Sequence, residues 1–385
     1  MIASSHERAG SPLSLPRRQF IGGVAAVLAG GSVQSACSAG GDPTPYERLA
    51  ADIRRPSAAP APVGRAAQRE LVRFATLAAN SHNSQPWKFV LGEQRIDIVA
   101  DTARRCPAVD PDDHHLYASL GCAAENLVVA APAFGLEASV SLAGIGNGVV
   151  RIDLQPTPPR SSPLFAAIPR RQSTRAEYSG KPAAPDAMAA VEAAAERSGV
   201  TVRTFTATSD LEAILEYVVA GNSAQMRDAA FVKELKHWIR FNESVALRHR
   251  DGLFSASSGN PVVPDWFGRS AFRFVFTERG ENDRYRAQIR SSSGVVTLSS
   301  DRDDRASWVN VGRSAERLCL QATAMGLKQA YINQPVEVPE IREQFARYLG
   351  LSSGRPDLLI RFGYGPELPK SLRRPLEAVI EDEDE

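Results

Sequence analysis

Cysteine is scarce here, four residues in 385, too few for the disulfide framework that staples small secreted scaffolds. An excess of one charge is also lacking. Lys+Arg is 45 against 44 for Asp+Glu, a formal net charge of +1, which argues against a generally basic nucleic-acid binder. Past the N-terminal region no apolar run looks able to cross a membrane. Cys-x-x-Cys pairs, metal-ligand spacings and convincing catalytic triads are missing too, so neither a metal nor a catalytic side chain is expected. What is there is a chain that can bury a core. It is 43% hydrophobic and 23% charged, which excludes wholesale disorder. Its length fits two ordinary units or one internally doubled fold.

The N-terminal region reads as an address. Arg17-Arg18, then Phe20 and a short Gly/Ala-rich apolar stretch to Val33, resemble a twin-arginine (Tat) export signal. That resemblance assigns residues 1–37 to the signal and implies Tat export machinery as a partner. The pathway carries folded proteins, often with a cofactor already bound. Cys37 follows Ser35-Ala36 as at the end of a lipoprotein box, but Gln34 stands where that box wants an aliphatic residue. A periplasmic product and a membrane-anchored lipoprotein both stay open, with membrane contact only through the signal or that lipid. Residues 38–64, rich in Pro, Ala, Gly and Ser, read as a linker. Residues 381–385 read as a solvated acidic tail.

Offset by 191 residues, the chain matches itself. Tyr117 to Glu137 lies on Trp308 to Lys328, pairing Gly121 with Gly312, Glu125 with Glu316, and Gly135-Leu136 with Gly326-Leu327. Each copy reads as an amphipathic helix ended by glycine, then a strand. Alanines are common here, so chance likeness of two core helices is the competing reading. Further helices are predicted over 65–79, 186–198, 211–226 and 231–247. Strands are predicted over 88–91, 95–100, 138–142, 149–154, 200–206, 294–299, 329–333 and 357–362. The stretch 248–267, rich in Ser, Gly and Pro, reads as a long loop suited to a lid. The mixture gives an α+β fold.

Two strings carry chemistry. Asn80-Ser81-His82-Asn83-Ser84-Gln85-Pro86-Trp87 lies between helix and strand, and its amides offer both donors and acceptors to a heterocycle edge. The bland alternative is a polar loop anchored by Trp87. Arg171-Gln172-Ser173-Thr174-Arg175 sets two guanidinium forks around a hydroxyl, a phosphate-binding pattern, or else a solvated face. Arg373-Arg374 are further cations.

Together these strings resemble the FMN-dependent nitroreductase family. Ser81, Gln85, Pro86 and Trp87 match its flavin loop, with His82 and Asn83 between them, while Asn80 stands where the family usually has proline. Arg171, Ser173 and Arg175 match its phosphate motif. Gly326-Leu327 and Arg373-Arg374 match later family elements. The match spans about residues 65–380 and looks closest to the Acg-type branch, in which two nitroreductase-like halves share one chain. The resemblance implies halves at 65–160 and 161–380, an intramolecular pseudo-dimer, and a monomer holding FMN. It also implies NAD(P)H or another electron donor as partner. The clean flavin loop occurs only in the first half and the clean Arg-x-Ser-x-Arg only in the second, so one complete site is expected. The implied function is an exported oxidoreductase passing electrons through FMN. The rival is a protein that binds or sequesters flavin with little turnover.

Other features fall away on the sequence alone. Gly144 to Gly148 lacks dinucleotide spacing and reads as a turn. His114 and His115 are adjacent, which sends them apart on a helix. Asp110 suits a cap for the helix that follows. Cys106, Cys122 and Cys319 read as buried small residues, though export leaves a disulfide open.

Overall fold

Two long helices, His114–Ala130 and Arg305–Ala324, pack against each other at the centre of the molecule. They are the two copies of the 191-residue repeat. The computed structural model describes residues 42–58 and 61–382, so the proposed signal at 1–37 and Cys37 lie outside the described residues. Where the helices cross, Gly121 faces Val309 O and Gly312 faces Ala118 O. Both pairs are copies of one contact, which is what a two-fold axis between duplicated segments produces. Each segment ends at a glycine in the left-handed conformation, Gly135 at φ +70° and Gly326 at φ +80°, where a Cβ would be strained. The helix 114–130 and its continuation to Phe134 are long and apolar enough to cross a membrane. They are mostly buried inside the protein instead, in the core of the first sheet.

A sheet lies on each side of this helix pair. The strands are β1 (Trp87–Leu91), β2 (Arg95–Ala100), β3 (Leu136–Ser141), β4 (Val149–Pro156), β5 (Val200–Phe205), β6 (Ile239–Arg240), β7 (Leu253–Phe254), β8 (Gly294–Ser300), β9 (Lys328–Tyr331), β10 (Arg355–Gly363) and β11 (Ile380–Asp382). The first sheet runs β11-β1-β2-β4-β3, the second β5-β8-β10-β9, and β6 and β7 form a small parallel pair. All pairings within the two large sheets are antiparallel except β1 with β11. The fold is therefore α+β, with one large sheet on each side of the helix pair. Residues Asp42–Glu385 nevertheless form one compact unit, because the cores interpenetrate. Trp308, Val309 and Leu320 join Phe74 and Trp87 in the core of the first sheet, and so do Ala167 and Ile168, beyond the expected boundary at 160.

Several expectations need correction. The supposed linker contains a helix, Pro45–Ile53, started by a reciprocal capping box between Thr44 and Glu47. Tyr46 from it is buried against Phe254 and donates to Lys370 O at 2.8 Å. The acidic tail is not wholly solvated: β11 pairs with β1, and Glu381 meets Lys88 Nζ at 2.7 Å. The helix read as 231–247 is broken in two. Helix Ala229–Trp238 stops, β6 follows, and Asn242 caps a new helix, Glu243–His249. The break serves buried Arg240, which pairs with Asp251 at 2.6 Å. The stretch 248–267 is shorter as a loop than expected, since it holds β7, a turn at Ala256–Ser258 and the start of helix Asp265–Val275.

Candidate functional site

A cavity of about 220 Å³ opens where the halves meet, several times the ~30 Å³ that one water occupies in the liquid. The loop after helix Gly64–Thr76 brings Asn80, Ser81 and His82 to it, and the Arg171–Arg175 string brings Ser173 and Arg175. Helix Thr208–Arg227 contributes Asn222 and Gln225, and helix Glu278–Arg290 contributes Arg284, Tyr285 and Gln288. Asn333, Gln334 and Glu337 come from the turn after β9. Ser255, Ser258 and Asn260 complete a wall from the segment expected to be a lid, and Asn260 Oδ1 accepts from Arg284 Nη2 at 2.5 Å.

Arg175 is the group in this cavity most in need of an anion or carbonyl. Its guanidinium makes no hydrogen bond or ion pair with any described residue, and its backbone oxygen is held by Gln288 Nε2 at 2.6 Å. Burial and then Arg284 pull its pKa down against the opposing effect of Tyr285. Amides line the remaining edge. Gln334 Nε2 donates to Tyr285 Oη and Gln225 Nε2 to Glu337 Oε2, both at 2.6 Å, while Gln334 Oε1 is buried with no hydrogen-bond partner among the described residues. Burial pushes Glu337 up to about 7 despite the Gln225 bond, and burial with nearby Arg175 pulls His82 down to about 4. The site therefore offers a cation, amides, a neutral imidazole and an acid poised near neutrality.

The residues expected at the site divide. Ser81, His82, Ser173 and Arg175 line the cavity. Asn83, Gln85, Trp87, Arg171, Arg373 and Arg374 do not, and Gly326 and Leu327 sit at a separate recess with Gln172 and Glu367. Asn83 and Gln85 serve as ties. Asn83 Nδ2 donates to Gly252 O at 3.0 Å and Leu372 O at 3.2 Å, and its Oδ1 accepts from Arg373 at 3.0 Å. Gln85 Nε2 donates to Arg250 O at 3.0 Å while its Oε1 accepts from Arg374 N at 2.8 Å. Trp87 is wholly buried beside Phe89. These ties hold His82, Asn83 and Gln85 at φ +49°, +53° and +54°, at about 1–3 kcal/mol each. Backbone strain of that kind is tolerated where the surroundings over-determine it.

The expected two-arginine phosphate clamp is not assembled. Arg171 Nε lies 2.9 Å from buried Glu316, and its Nη2 donates to Leu77 O at 2.8 Å. Arg373 donates to Thr76 O, Leu77 O and Ala78 O. Both arginines stand behind the cavity wall and hold the backbone leading to Ser81. Arg374 pairs with Asp101 at 3.5 Å. The other glutamate of the repeat, Glu125, is likewise buried and meets Arg197, Arg313 and Arg317.

The remaining features are placed as follows. Cys106, Cys122 and Cys319 are free and buried, so no disulfide joins them. Asp110 caps the following helix by accepting from His115 N and Leu116 N, both at 2.9 Å. His114 and His115 do not diverge: their ring centroids are 4.7 Å apart, and His114 Nε2 lies 2.6 Å from Asp357. Asn222, Gln225, Arg284, Tyr285, Gln288 and Gln334 were not foreseen. The available signal was spacing: Asn222 with Gln225, and Arg284 with Gln288, put polar groups on one helix face at i,i+3 and i,i+4.

Fold and site together define an α+β protein of two helix-and-sheet halves sharing one polar cavity. The comparisons narrow this. No family model matches the chain. The chain is 28% identical over 323 residues to "Putative NAD(P)H nitroreductase Rv3131" of Mycobacterium tuberculosis, covering 81% of this chain and 90% of that protein. It is 26% identical over 328 residues to "Putative NAD(P)H nitroreductase acg" of the same organism, covering 81% and 94%. These chain-long similarities support the nitroreductase family. Among solved structures, a Bacteroides fragilis nitroreductase with bound FMN is 16% identical, with 54% of this chain and 90% of that chain covered, at a TM-score of 0.33. The FMN-dependent nitroreductase NfnB of Mycobacterium smegmatis, in complex with NADPH, is 15% identical, with 53% and 87% covered, at 0.35.

Proposed function

We propose that this chain is an exported, nitroreductase-like oxidoreductase that binds one FMN in the shared cavity. The observation that carries the reading is Arg175, a guanidinium without a partner among the described residues, at a cavity edged by amides. The residues fit the group. A flavin edge presents carbonyl acceptors and an N–H, which Arg175 and the amides of Asn222, Gln225 and Gln334 complement. Behind the Ala79–His82 wall, burial first and then neighbouring cations, Arg171 among them, pull down the pKa values of Arg54, Lys370 and Arg373, while Glu316 lies against Arg171. Nη1 of Arg171 is buried there with no hydrogen-bond partner among the described residues. That positive field suits a phosphate. When bound, FMN supplies hydride acceptance from a nicotinamide donor and delivery to an acceptor. The chain's own residues bind and orient it, and the 255–260 wall limits entry of water and donor. That wall also supports the second reading, a flavin holder with little turnover.

Purified protein should carry a visible flavin spectrum at one FMN per chain. Arg175→Ala should weaken FMN binding by about 1.5–3 kcal/mol, about 10- to 150-fold. Unchanged affinity in a titration would remove Arg175 from the site. Anaerobic mixing with NADPH separates the readings: rapid flavin reduction and turnover of a nitroaromatic marks an oxidoreductase, whereas slow reduction marks a holder. Export rests on Arg17-Arg18. With both changed to lysine, the protein should stay in the cytoplasm, folded and flavin-loaded, and delivery to the periplasm would count against the Tat route.

A further inference from the structure

We propose that His82, Cys106 and Glu234 form a transition-metal site, suited to Zn²⁺, in the cavity wall. A ring nitrogen of His82, Sγ of Cys106 and a carboxylate oxygen of Glu234 lie within 4.8 Å of one another. They come from three segments: the turn Ser81–Asn83, the loop before helix His114–Ala130, and helix Ala229–Trp238. In a tetrahedral zinc site with bonds of about 2.0–2.3 Å, donors stand about 3.3–3.6 Å apart. Side-chain movements of about 1 Å close the set. A nitrogen, sulfur and oxygen donor set is one zinc accepts and magnesium or calcium does not.

A second observation points to a ligand. Nδ1 of His82 is buried with no hydrogen-bond partner among the described residues. A buried ring nitrogen without a partner carries a desolvation cost, which a metal bond removes. Glu234 is already oriented, since its two oxygens accept from Ala108 N at 2.9 Å and Val109 N at 3.2 Å. Those bonds tie it to the loop that carries Cys106, as outer partners tie ligand carboxylates. The nearby set of Asp110, His114 and His115 is a weaker candidate. There His114 Nε2 is already paired with Asp357 at 2.6 Å. Three protein ligands leave one tetrahedral position for water or a small donor ligand, and His82 among them lines the cavity. On binding, the Cys106 thiol releases its proton to solvent as the sulfur–metal bond forms, and no electron moves.

Titration of the full chain with Co²⁺ tests this, read by visible absorption, followed by displacement with Zn²⁺. One Co²⁺ per chain with a thiolate charge-transfer band is expected. Cys106→Ser should abolish the band, Glu234→Gln should weaken binding about tenfold or more, and Cys319→Ser should change neither. Glu234→Gln keeps the test decisive if Cys106→Ser misfolds. The inference is overturned if the intact protein binds no stoichiometric Co²⁺ or if the band survives Cys106→Ser. The band reports on sulfur rather than flavin, so this site and the FMN reading fail separately.

Discussion

Gly312→Ala should destabilise the protein by about 3 kcal/mol or more, at the upper end for an overpacked site. A Cβ at Gly312 would lie 1.9 Å from Ala118 O and 2.7 Å from its carbonyl carbon. Those atoms belong to a helix backbone and cannot rotate away. The gain in helix propensity, about 1 kcal/mol, does not offset that clash. Gly121→Ala makes the same collision in mirror order, 2.0 Å from Val309 O. The helices must separate in either variant, and they carry the inner faces of both cores. The double variant should therefore cost less than the sum of the singles, because one separation relieves both contacts. Urea melts of the four proteins measure this. Gly146→Ala, where a Cβ meets nothing within 4 Å, should melt with the parent. Parent-like melting of Gly312→Ala would mean the helices do not approach this closely.

Loss of the Glu316 carboxylate should have a comparable effect, about 3–5 kcal/mol for Glu316→Ala. Glu316 is wholly buried, with one oxygen 2.9 Å from Arg171 Nε and the other accepting from Ala79 N at 3.1 Å. Without it, the Arg171 guanidinium stays buried with Arg373 and Arg54 as like-charged neighbours. The backbone ahead of Ser81 also loses a hydrogen bond. Replacing both partners in Arg171→Met/Glu316→Leu should recover much of the loss, since an apolar pair of similar volume leaves no stranded charge. Melting temperatures of the two singles and the double check this, and no recovery would show that Arg171 and Glu316 do not act as a pair. The cycle also separates the two arginines of the 171–175 string. Arg175→Ala should change flavin affinity in a protein that melts normally, whereas Arg171→Ala should lower the melting temperature first.

The sequence by itself determined what depends on local periodicity and on duplication. The spacing of apolar residues set the central helices and most strands within a few residues. Glycines needing left-handed backbone ended both repeat helices, and the 191-residue offset paired Gly121 with Gly312 and Glu125 with Glu316. It also singled out the two strings that border the cavity, since Ser81, His82, Ser173 and Arg175 line it. It could not tell which polar residue in a string meets a ligand and which meets the chain. Asn83 and Gln85 look like ligands in sequence, yet their amides are taken up by backbone groups at 250–252 and 372–374. Arg171 looks like the partner of Arg175, yet a buried glutamate from the repeat holds it. The helix at 45–53 and the break at 239–240 turned on a cap and a buried ion pair, which apolar spacing does not record. His82, Cys106 and Glu234 share no motif and meet because three distant segments converge. A polar side chain's role is fixed by whichever donor or acceptor the fold leaves within about 3 Å of it, and that choice is made by tertiary packing.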